Sequence, residues 1–212
     1  MPQYFKTRQW THPEGYKYLA VWTNAVLLRF LIRKFTETLP RLEYRTKTQL
    51  NDAGRSIVSN IEEGYKRPTT KEYLDFLGFS QASLEEIKGL LKQLHQDGFS
   101  QSKVGSGLIS LGIDLNEIKG KLKETKGEVL LEILYPPLKS LKATDLTYEI
   151  FLELINKTDW LFRQTVASLE KKMAEEMPMS NREKWLKAQR EKQFEEDRKM
   201  DEELRKIAEE ER

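Results

Sequence analysis

The chain has 212 residues, of which 33% are charged and 38% hydrophobic, and its formal net charge is only +2. It contains no cysteine, which excludes disulfide bonds, thiolate metal sites and cysteine nucleophiles. No apolar run approaches the roughly 20 residues of a membrane span and no basic-then-apolar leader opens the chain, so we expect a cytoplasmic protein.

The small net charge conceals an asymmetry along the chain. Residues 1–50 contain nine Lys or Arg and three Glu, a balance of +6, whereas residues 181–212 contain ten basic and eleven acidic residues, a balance of −1. A basic front half can indicate an anionic partner such as nucleic acid, or it can pair with acidic surfaces elsewhere in the same protein. Charge alone leaves both interpretations open.

Residues 1–15 are predicted to form an irregular N-terminal arm, because two prolines and a glycine disfavour a long helix there. The arm interleaves three aromatic residues with Lys6 and Arg8, a combination that can stack on bases and hold phosphates. The alternative, which we favour, is that the aromatic side chains pin the arm onto the rest of the protein.

Residues 16–38 are predicted to form the first helix. Its middle, residues 25–32, is apolar at seven of eight positions, which is more than a helix with one buried face requires. Either another layer of the chain covers the second side, or another subunit does. Arg29 lies inside this run.

The second helix is predicted from Glu43 to about Tyr65, on apolar residues at helical spacing. Gly64 is expected to end this helix in a left-handed C-cap. Pro68 prevents continuation, and residues 69–72 read as a capping box that opens a third helix over residues 70–97. The short connection predicts that helices two and three pack antiparallel.

A polar row runs beside the apolar face of the second helix at Ser56, Asn60 and Glu63. We interpret it as a hydrogen-bonded structural network that closes the turn with Arg67 or Lys71 across the hairpin, since buried polar groups must be paired. The alternative is a ligand or partner site at the end of the bundle.

The segment 98–144 is a long connection for a simple bundle. We expect a polar loop over residues 100–107, a short helix capped by Asp114 and ending near Lys123, and another helix over residues 127–135. Residues 145–176 carry two adjacent apolar stripes and predict a fourth helix, capped by Thr144 or Asp145.

Residues 177–212 are predicted to form a charged helical extension. Residues 180–183 read as a capping box, and good helix formers follow with sparse apolar residues. We favour a solvated helix held by charge pairs between neighbouring turns. The alternative is a protruding arm that binds a partner helix or RNA.

The front half of the chain resembles a known family. The residues that carry the resemblance, between 56 and 86, are Ser56-Ile57, Asn60-Ile61, Glu63-Gly64, Arg67, Lys71-Glu72-Tyr73, Phe76-Leu77 and Ser83-Leu84-Glu85-Glu86. They resemble the four-helix-bundle proteins encoded in 23S ribosomal RNA intervening sequences, a family that includes the accessory variability proteins of diversity-generating retroelements. The resemblance covers about residues 15–97. Glu62 and Ala82 depart from the family pattern, where a small residue and a glycine are usual.

The resemblance implies a fold and a set of partners. It implies an all-α protein with an antiparallel up-down-up-down four-helix bundle over residues 16–176, an insert between helices three and four, and a long C-terminal helix. It further implies a homo-oligomer, since characterised relatives form ring-like pentamers, and a reverse transcriptase as a protein partner. The insert resembles that of a sub-group with a suffix region.

No catalytic constellation is recognisable, so we expect a protein that is not an enzyme and that uses no cofactor and no metal. The two histidines are far apart, no glycine-rich phosphate loop occurs, and no carboxylate pair is marked. An enzyme would need an unmarked site.

Two functional hypotheses remain. The first is an oligomeric scaffold that binds nucleic acid, with RNA favoured, and a protein partner. The second is a structural module whose C-terminal helix recruits a protein without nucleic acid. The residues predicted to neutralise phosphates in the first hypothesis are Lys6, Arg8, Arg29, Arg33, Lys34, Arg41, Arg45 and Lys47.

Overall fold

The computed structural model describes residue 8, residues 12–124, residues 138 and 141–176, and residues 185, 189–196, 198–200 and 202. It divides the chain into two compact units, Met1–Ala174 and Glu175–Arg212. Within the described residues the protein is all-α, as predicted. The α-helices whose bounds the structure gives are α1 (Ala20–Thr36), α2 (Tyr44–Tyr65), α3 (Thr70–Gln96), α4 (Leu115–Glu124) and α5 (Tyr148–Glu176).

The helix α1 lies at the centre of the first unit. Every residue from Val21 to Leu28 is buried, and so are Leu31 and Ile32, whereas Arg29 is exposed. On one side α1 packs against α2, and on another its Phe35 ring meets Phe151 of α5 with 5.4 Å between centroids. Residues of the same chain therefore cover the long apolar run, which no longer argues for a second subunit.

Neighbouring helices of the bundle run antiparallel. Trp22 near the start of α1 donates a hydrogen bond to Glu62 near the end of α2, at 2.9 Å. His95 at the end of α3 stacks on Tyr148 at the start of α5, with 4.3 Å between ring centroids and 3° between ring planes. The fourth bundle helix thus begins where α3 ends.

The turn between α2 and α3 is closed by the predicted capping box. The backbone N–H of Glu72 donates to the Thr69 hydroxyl at 3.1 Å, and the Thr69 N–H donates to the Glu72 carboxylate at 3.2 Å. Two N–H groups that lack a partner inside the helix are therefore satisfied, which fixes where α3 begins.

Gly64 does not end α2 in the way that we predicted. The helix continues to Tyr65, its C-cap Lys66 is right-handed, and the glycines with positive φ among the described residues are Gly98, Gly105 and Gly112. A β-carbon on Gly64 would lie 2.6 Å from the Phe76 Cβ. The glycine is needed because α2 and α3 approach closely there, not because the chain turns there.

The start of α5 also differs from the prediction, since the helix begins at Tyr148. Residues 143–145 form a 3₁₀ turn instead, and the Asp145 carboxylate accepts a hydrogen bond from the Lys142 N–H at 2.9 Å. Asp145 is therefore occupied in closing this turn, and neither it nor Thr144 caps the helix. The Thr147 hydroxyl lies 2.6 Å from that of Ser106.

The insert packs onto the bundle through a short helix. Asp114 accepts hydrogen bonds from the N–H groups of Asn116 at 2.8 Å and Glu117 at 3.4 Å, which confirms the predicted cap of α4. Leu108, Ile113 and Ile118 are buried in the core. The helix predicted over residues 127–135 lies outside the described residues.

Glu149 joins the loop after α3 to the first turn of α5. Its carboxylate accepts hydrogen bonds from the Ser102 hydroxyl and from the Lys103 N–H, the latter at 3.0 Å. Burial alone would raise the pKa of Glu149, but these hydrogen bonds outweigh burial and lower the pKa to about 2.

We expect Glu149→Gln to lower the free energy of unfolding by about 1 kcal/mol at pH 7, because charge-assisted hydrogen bonds are lost at a site that water partly screens. Since folding lowers the pKa of Glu149, its contribution is complete above the unfolded value near 4.5 and is lost as the pH falls towards 2. Urea unfolding of both proteins should therefore give a difference at pH 7 that shrinks below pH 4.5. A difference independent of pH would contradict this assignment.

The second unit is described only in part. Beyond Glu175 and Glu176, which end α5, its described residues lie between 185 and 202 and are helical and exposed. The capping box predicted at residues 180–183 lies outside the described residues. Among the helices of the described ranges, none is long and apolar enough to cross a membrane.

Candidate nucleic-acid interface

Six of the eight predicted phosphate-binding residues lie around the connection between α1 and α2. Arg33 and Lys34 lie in the last turn of α1, Arg41 opens the 3₁₀ turn that follows, and Arg45 and Lys47 lie at the start of α2. The end of one helix, its connection and the start of the next are neighbours in space. We call this group, together with Arg29 one turn before Arg33, the α1–α2 basic surface.

The basic side chains of this surface are available to a partner. The four arginines are exposed, and the two lysines are half-buried. Residues 29–47 contain these six basic residues and only two carboxylates, Glu37 and Glu43. In the described part of the chain, none of the six forms an ion pair. The surface therefore carries uncompensated positive charge.

Several basic side chains elsewhere in the same unit pair with a carboxylate three or four residues away. Lys17 lies 2.6 Å from Glu14, and Lys157 lies 2.5 Å from Glu153. Such pairs partly neutralise their own surface. Within the described residues, the lack of ion pairs is therefore a local feature of the α1–α2 basic surface.

The start of α2 gives a second reason to expect an anion. A helix N-terminus carries partial positive charge from its unpaired N–H groups, so cations placed there destabilise the helix. The first turn of α2 nevertheless contains Arg45 and no acidic residue. The Glu43 carboxylate stands at the N-cap, but it accepts a hydrogen bond from the Thr46 hydroxyl at 2.8 Å and none from the helix N–H groups. A bound phosphate would satisfy both the helix terminus and the neighbouring guanidinium groups.

Arg8 lies at the opposite end of α2, where it contacts other residues of the protein. Its guanidinium donates a hydrogen bond to the Tyr65 carbonyl at 3.1 Å and lies over the Tyr73 ring, 4.6 Å from the centroid. Its own N–H donates to the Pro68 carbonyl at 2.6 Å. Arg8 therefore fastens the arm to the α2–α3 turn, apart from the α1–α2 basic surface. Lys6 lies outside the described residues.

The predicted polar network beside α2 is not formed. Only Glu63 and Arg67 meet, at 3.9 Å, and the Arg67 guanidinium also lies 4.4 Å from the centroid of a phenylalanine ring of α3. Within the described residues, the side chains of Ser56, Asn60 and Lys71 make no hydrogen bond. Ser56 and Asn60 are only half-buried, so water can satisfy their side chains without a protein partner.

A comparison with protein families identifies the chain. A family model described as 23S rRNA-intervening sequence protein matches residues 17–123, just over half of the sequence. The chain belongs to this family. The match runs from the start of the bundle through α4, beyond the range over which the motif residues resemble it. No curated protein and no solved structure matches the chain.

The matched part of this 23S rRNA-intervening sequence protein contains the whole α1–α2 basic surface. It also contains exposed apolar groups that the sequence did not single out. Leu42 is 91% exposed and Tyr44 is 70% exposed, and they lie between Arg41 and Arg45 in the sequence, one on each side of Glu43. An exposed aromatic ring between two guanidinium groups can stack on a base while the cations hold phosphates.

A pocket on another side of α1 was also not predicted. It has a volume of about 550 Å³ and lies between α1, the segment 108–119 and α5. Its residues come from three separate parts of the sequence, so no local pattern could indicate it. In the parts of the chain that the structure describes, no group of three or more His, Cys, Asp or Glu side chains could hold a metal ion.

Proposed function

We propose that this protein binds RNA through the α1–α2 basic surface and acts without catalysing a reaction. The observation that carries the proposal is the group of six basic side chains without ion pairs around the α1–α2 connection. Their charge is costly to hold together in the free protein, and a polyanion would relieve that cost.

The family match favours RNA as the nucleic acid in this proposal. The family is named for an intervening sequence of 23S ribosomal RNA, although that name describes a location and not a ligand. We further propose that the protein assembles as a homo-oligomer, a pentamer on the model of the relatives that it resembles. Its protein partner would be the reverse transcriptase of a diversity-generating retroelement.

The proposal is tested by measuring RNA binding across a salt series with the oligomer mass recorded in the same buffers. If six phosphates are neutralised, log K against log salt concentration should be linear with a slope of about −4 for single-stranded RNA. Single-stranded RNA is the better probe, because Tyr44 offers a stacking surface that paired bases cannot use.

Two results would contradict the proposal. The first is the absence of RNA binding at low salt. The second is binding whose affinity does not change with salt, since contacts to phosphates release counterions and must respond.

The second candidate is a structural module that recruits a protein without nucleic acid. The described residues of the second unit include three large apolar side chains that are mostly exposed, Trp185 at 61%, Phe194 at 72% and Met200 at 59%. Exposed aromatic and methionine side chains are common anchors of protein interfaces. A failure to bind RNA would make this candidate the preferred one.

A further inference from the structure

The pocket between α1, the segment 108–119 and α5 contains a polar group that no described residue satisfies. Asn24 lines the pocket and is only 4% exposed, yet its carboxamide makes no hydrogen bond in the described part of the chain. Its neighbour Thr23 also lines the pocket, but the Thr23 hydroxyl donates to the Leu19 carbonyl at 3.3 Å. The fully enclosed side-chain polar atoms without a partner in the described residues lie elsewhere, on Thr70, Tyr73 and Ser100. The Asn24 carboxamide therefore opens onto the space of the pocket, where water or a ligand can satisfy it.

The two carboxylates that line the pocket form hydrogen bonds with other groups. Glu153 accepts hydrogen bonds from the Leu108 N–H at 2.7 Å and from the Lys157 ammonium at 2.5 Å. Asp114 caps α4. Both acidic groups are therefore engaged in holding the insert and α5 in place. Asn116 and Asn156 also line the pocket, but no described residue forms a hydrogen bond with the Asn24 side chain.

The walls of the pocket are apolar and its rim is aromatic and basic. Leu108 and Ile113 are buried and line it, and Leu161 is half-buried. At the rim, the Trp160 side chain is 58% exposed. Lys119 is exposed and forms no ion pair among the residues described. The volume of about 550 Å³ lies within the usual range for small-molecule sites.

These features define the chemistry of a ligand. A carboxamide presents one acceptor and two donor hydrogens side by side, which matches the edge of a nucleobase. An exposed indole ring offers a face on which such a base can stack. An unpaired ammonium group at the rim suits a phosphate. We propose that this pocket binds a nucleotide, with the base against Asn24 and Trp160 and the phosphate at Lys119.

The nucleotide site is separate from the α1–α2 basic surface. Arg29, the member of that surface nearest in the sequence, follows Asn24 by five residues, about 7.5 Å along α1 and about 140° around it. Arg29 is exposed and Asn24 is buried, so the two side chains lie on different sides of α1. The two sites use different side chains, so binding at one can fail while binding at the other persists. The proposal for the pocket therefore does not rest on the proposed function.

The test is calorimetric titration of the full chain with AMP, GMP, CMP and UMP and with the corresponding nucleosides. We expect at least one nucleotide to bind with a Kd below about 1 mM. Trp160→Ala and Asn24→Leu should each weaken binding at least about tenfold. Leucine is close to asparagine in size and removes the unpaired amide, so Asn24→Leu should stay folded.

Two controls separate the pocket from general effects. Phe79→Ala removes an aromatic side chain that is 57% exposed, matching Trp160, but lies on α3 outside the pocket, and should leave binding unchanged. Lys119→Gln should weaken nucleotide binding to the level of the nucleoside and leave nucleoside binding unchanged. In the variant Arg41→Glu/Arg45→Glu, which weakens the separate RNA surface, a pentanucleotide that binds more tightly than the mononucleotide would identify an RNA strand as the source of the base. Equal or weaker binding in that variant would identify a free nucleotide.

The proposal is overturned if no nucleotide binds at millimolar concentration. It is also overturned if binding persists unchanged in both Trp160→Ala and Asn24→Leu, because the base would then lie elsewhere.

Discussion

Replacing Gly64 by alanine is expected to lower the free energy of unfolding by about 2 kcal/mol. The added β-carbon would lie 2.6 Å from the Phe76 Cβ and 2.9 Å from the Tyr73 Cδ2. The Phe76 Cβ is tied to the backbone of α3 and the Tyr73 ring is buried, so neither atom can move aside cheaply. Overpacking of this kind costs up to about 3 kcal/mol, and alanine returns about 1 kcal/mol through its helix propensity.

Gly78 and Gly89 of α3 supply the matched controls for this substitution. A β-carbon at either position would meet no atom within 4 Å. Alanine should therefore stabilise the protein there by about 0.5–1 kcal/mol, through helix propensity alone. Urea denaturation of the three variants should show opposite signs. If Gly64→Ala were as stable as Gly78→Ala, helices α2 and α3 could not approach each other as closely as described.

The helices themselves were predictable from periodicity. The apolar spacing along α2 and α3 gives their faces, and the Thr69 capping box gives the start of α3 to the residue. These signals are local, because each depends on residues within one or two turns of each other. Gly64 shows the limit of such signals, since a glycine near a helix end looks the same in sequence whether it turns the chain or admits a neighbouring helix.

Long-range contacts decided the features that the sequence could not predict. Arg8 belongs to a basic arm in the sequence, but its guanidinium binds a carbonyl group 57 residues away. The lack of ion pairs on the α1–α2 basic surface likewise depends on which carboxylates come close in the fold. The nucleotide pocket joins Asn24, Lys119 and Trp160 from three segments, and the only local signal was one polar residue beside an apolar run.

Reversing the charge of Arg41 and Arg45 is expected to weaken RNA binding about 100-fold at low salt, about tenfold for each residue. Both side chains are exposed, and neither forms an ion pair in the part of the chain described. The carboxylate that Arg45→Glu introduces would lie in the first turn of α2, where negative charge is favourable. The variant Arg41→Glu/Arg45→Glu should therefore remain as stable as the parent protein or become slightly more stable. A loss of binding without a loss of stability separates an interface from a folding defect.

The matched control reverses two exposed lysines far from the α1–α2 connection. Lys71 lies in the first turn of α3 and Lys171 lies near the end of α5, and Lys71→Glu/Lys171→Glu changes the net charge by the same amount. If general attraction between a basic protein and RNA caused the binding, both double variants would weaken it equally. If the α1–α2 basic surface holds the phosphates, only the first variant loses about 100-fold. The magnitude of its salt slope should then fall by about 0.7 for each contact removed, because each lost contact releases one counterion fewer from single-stranded RNA.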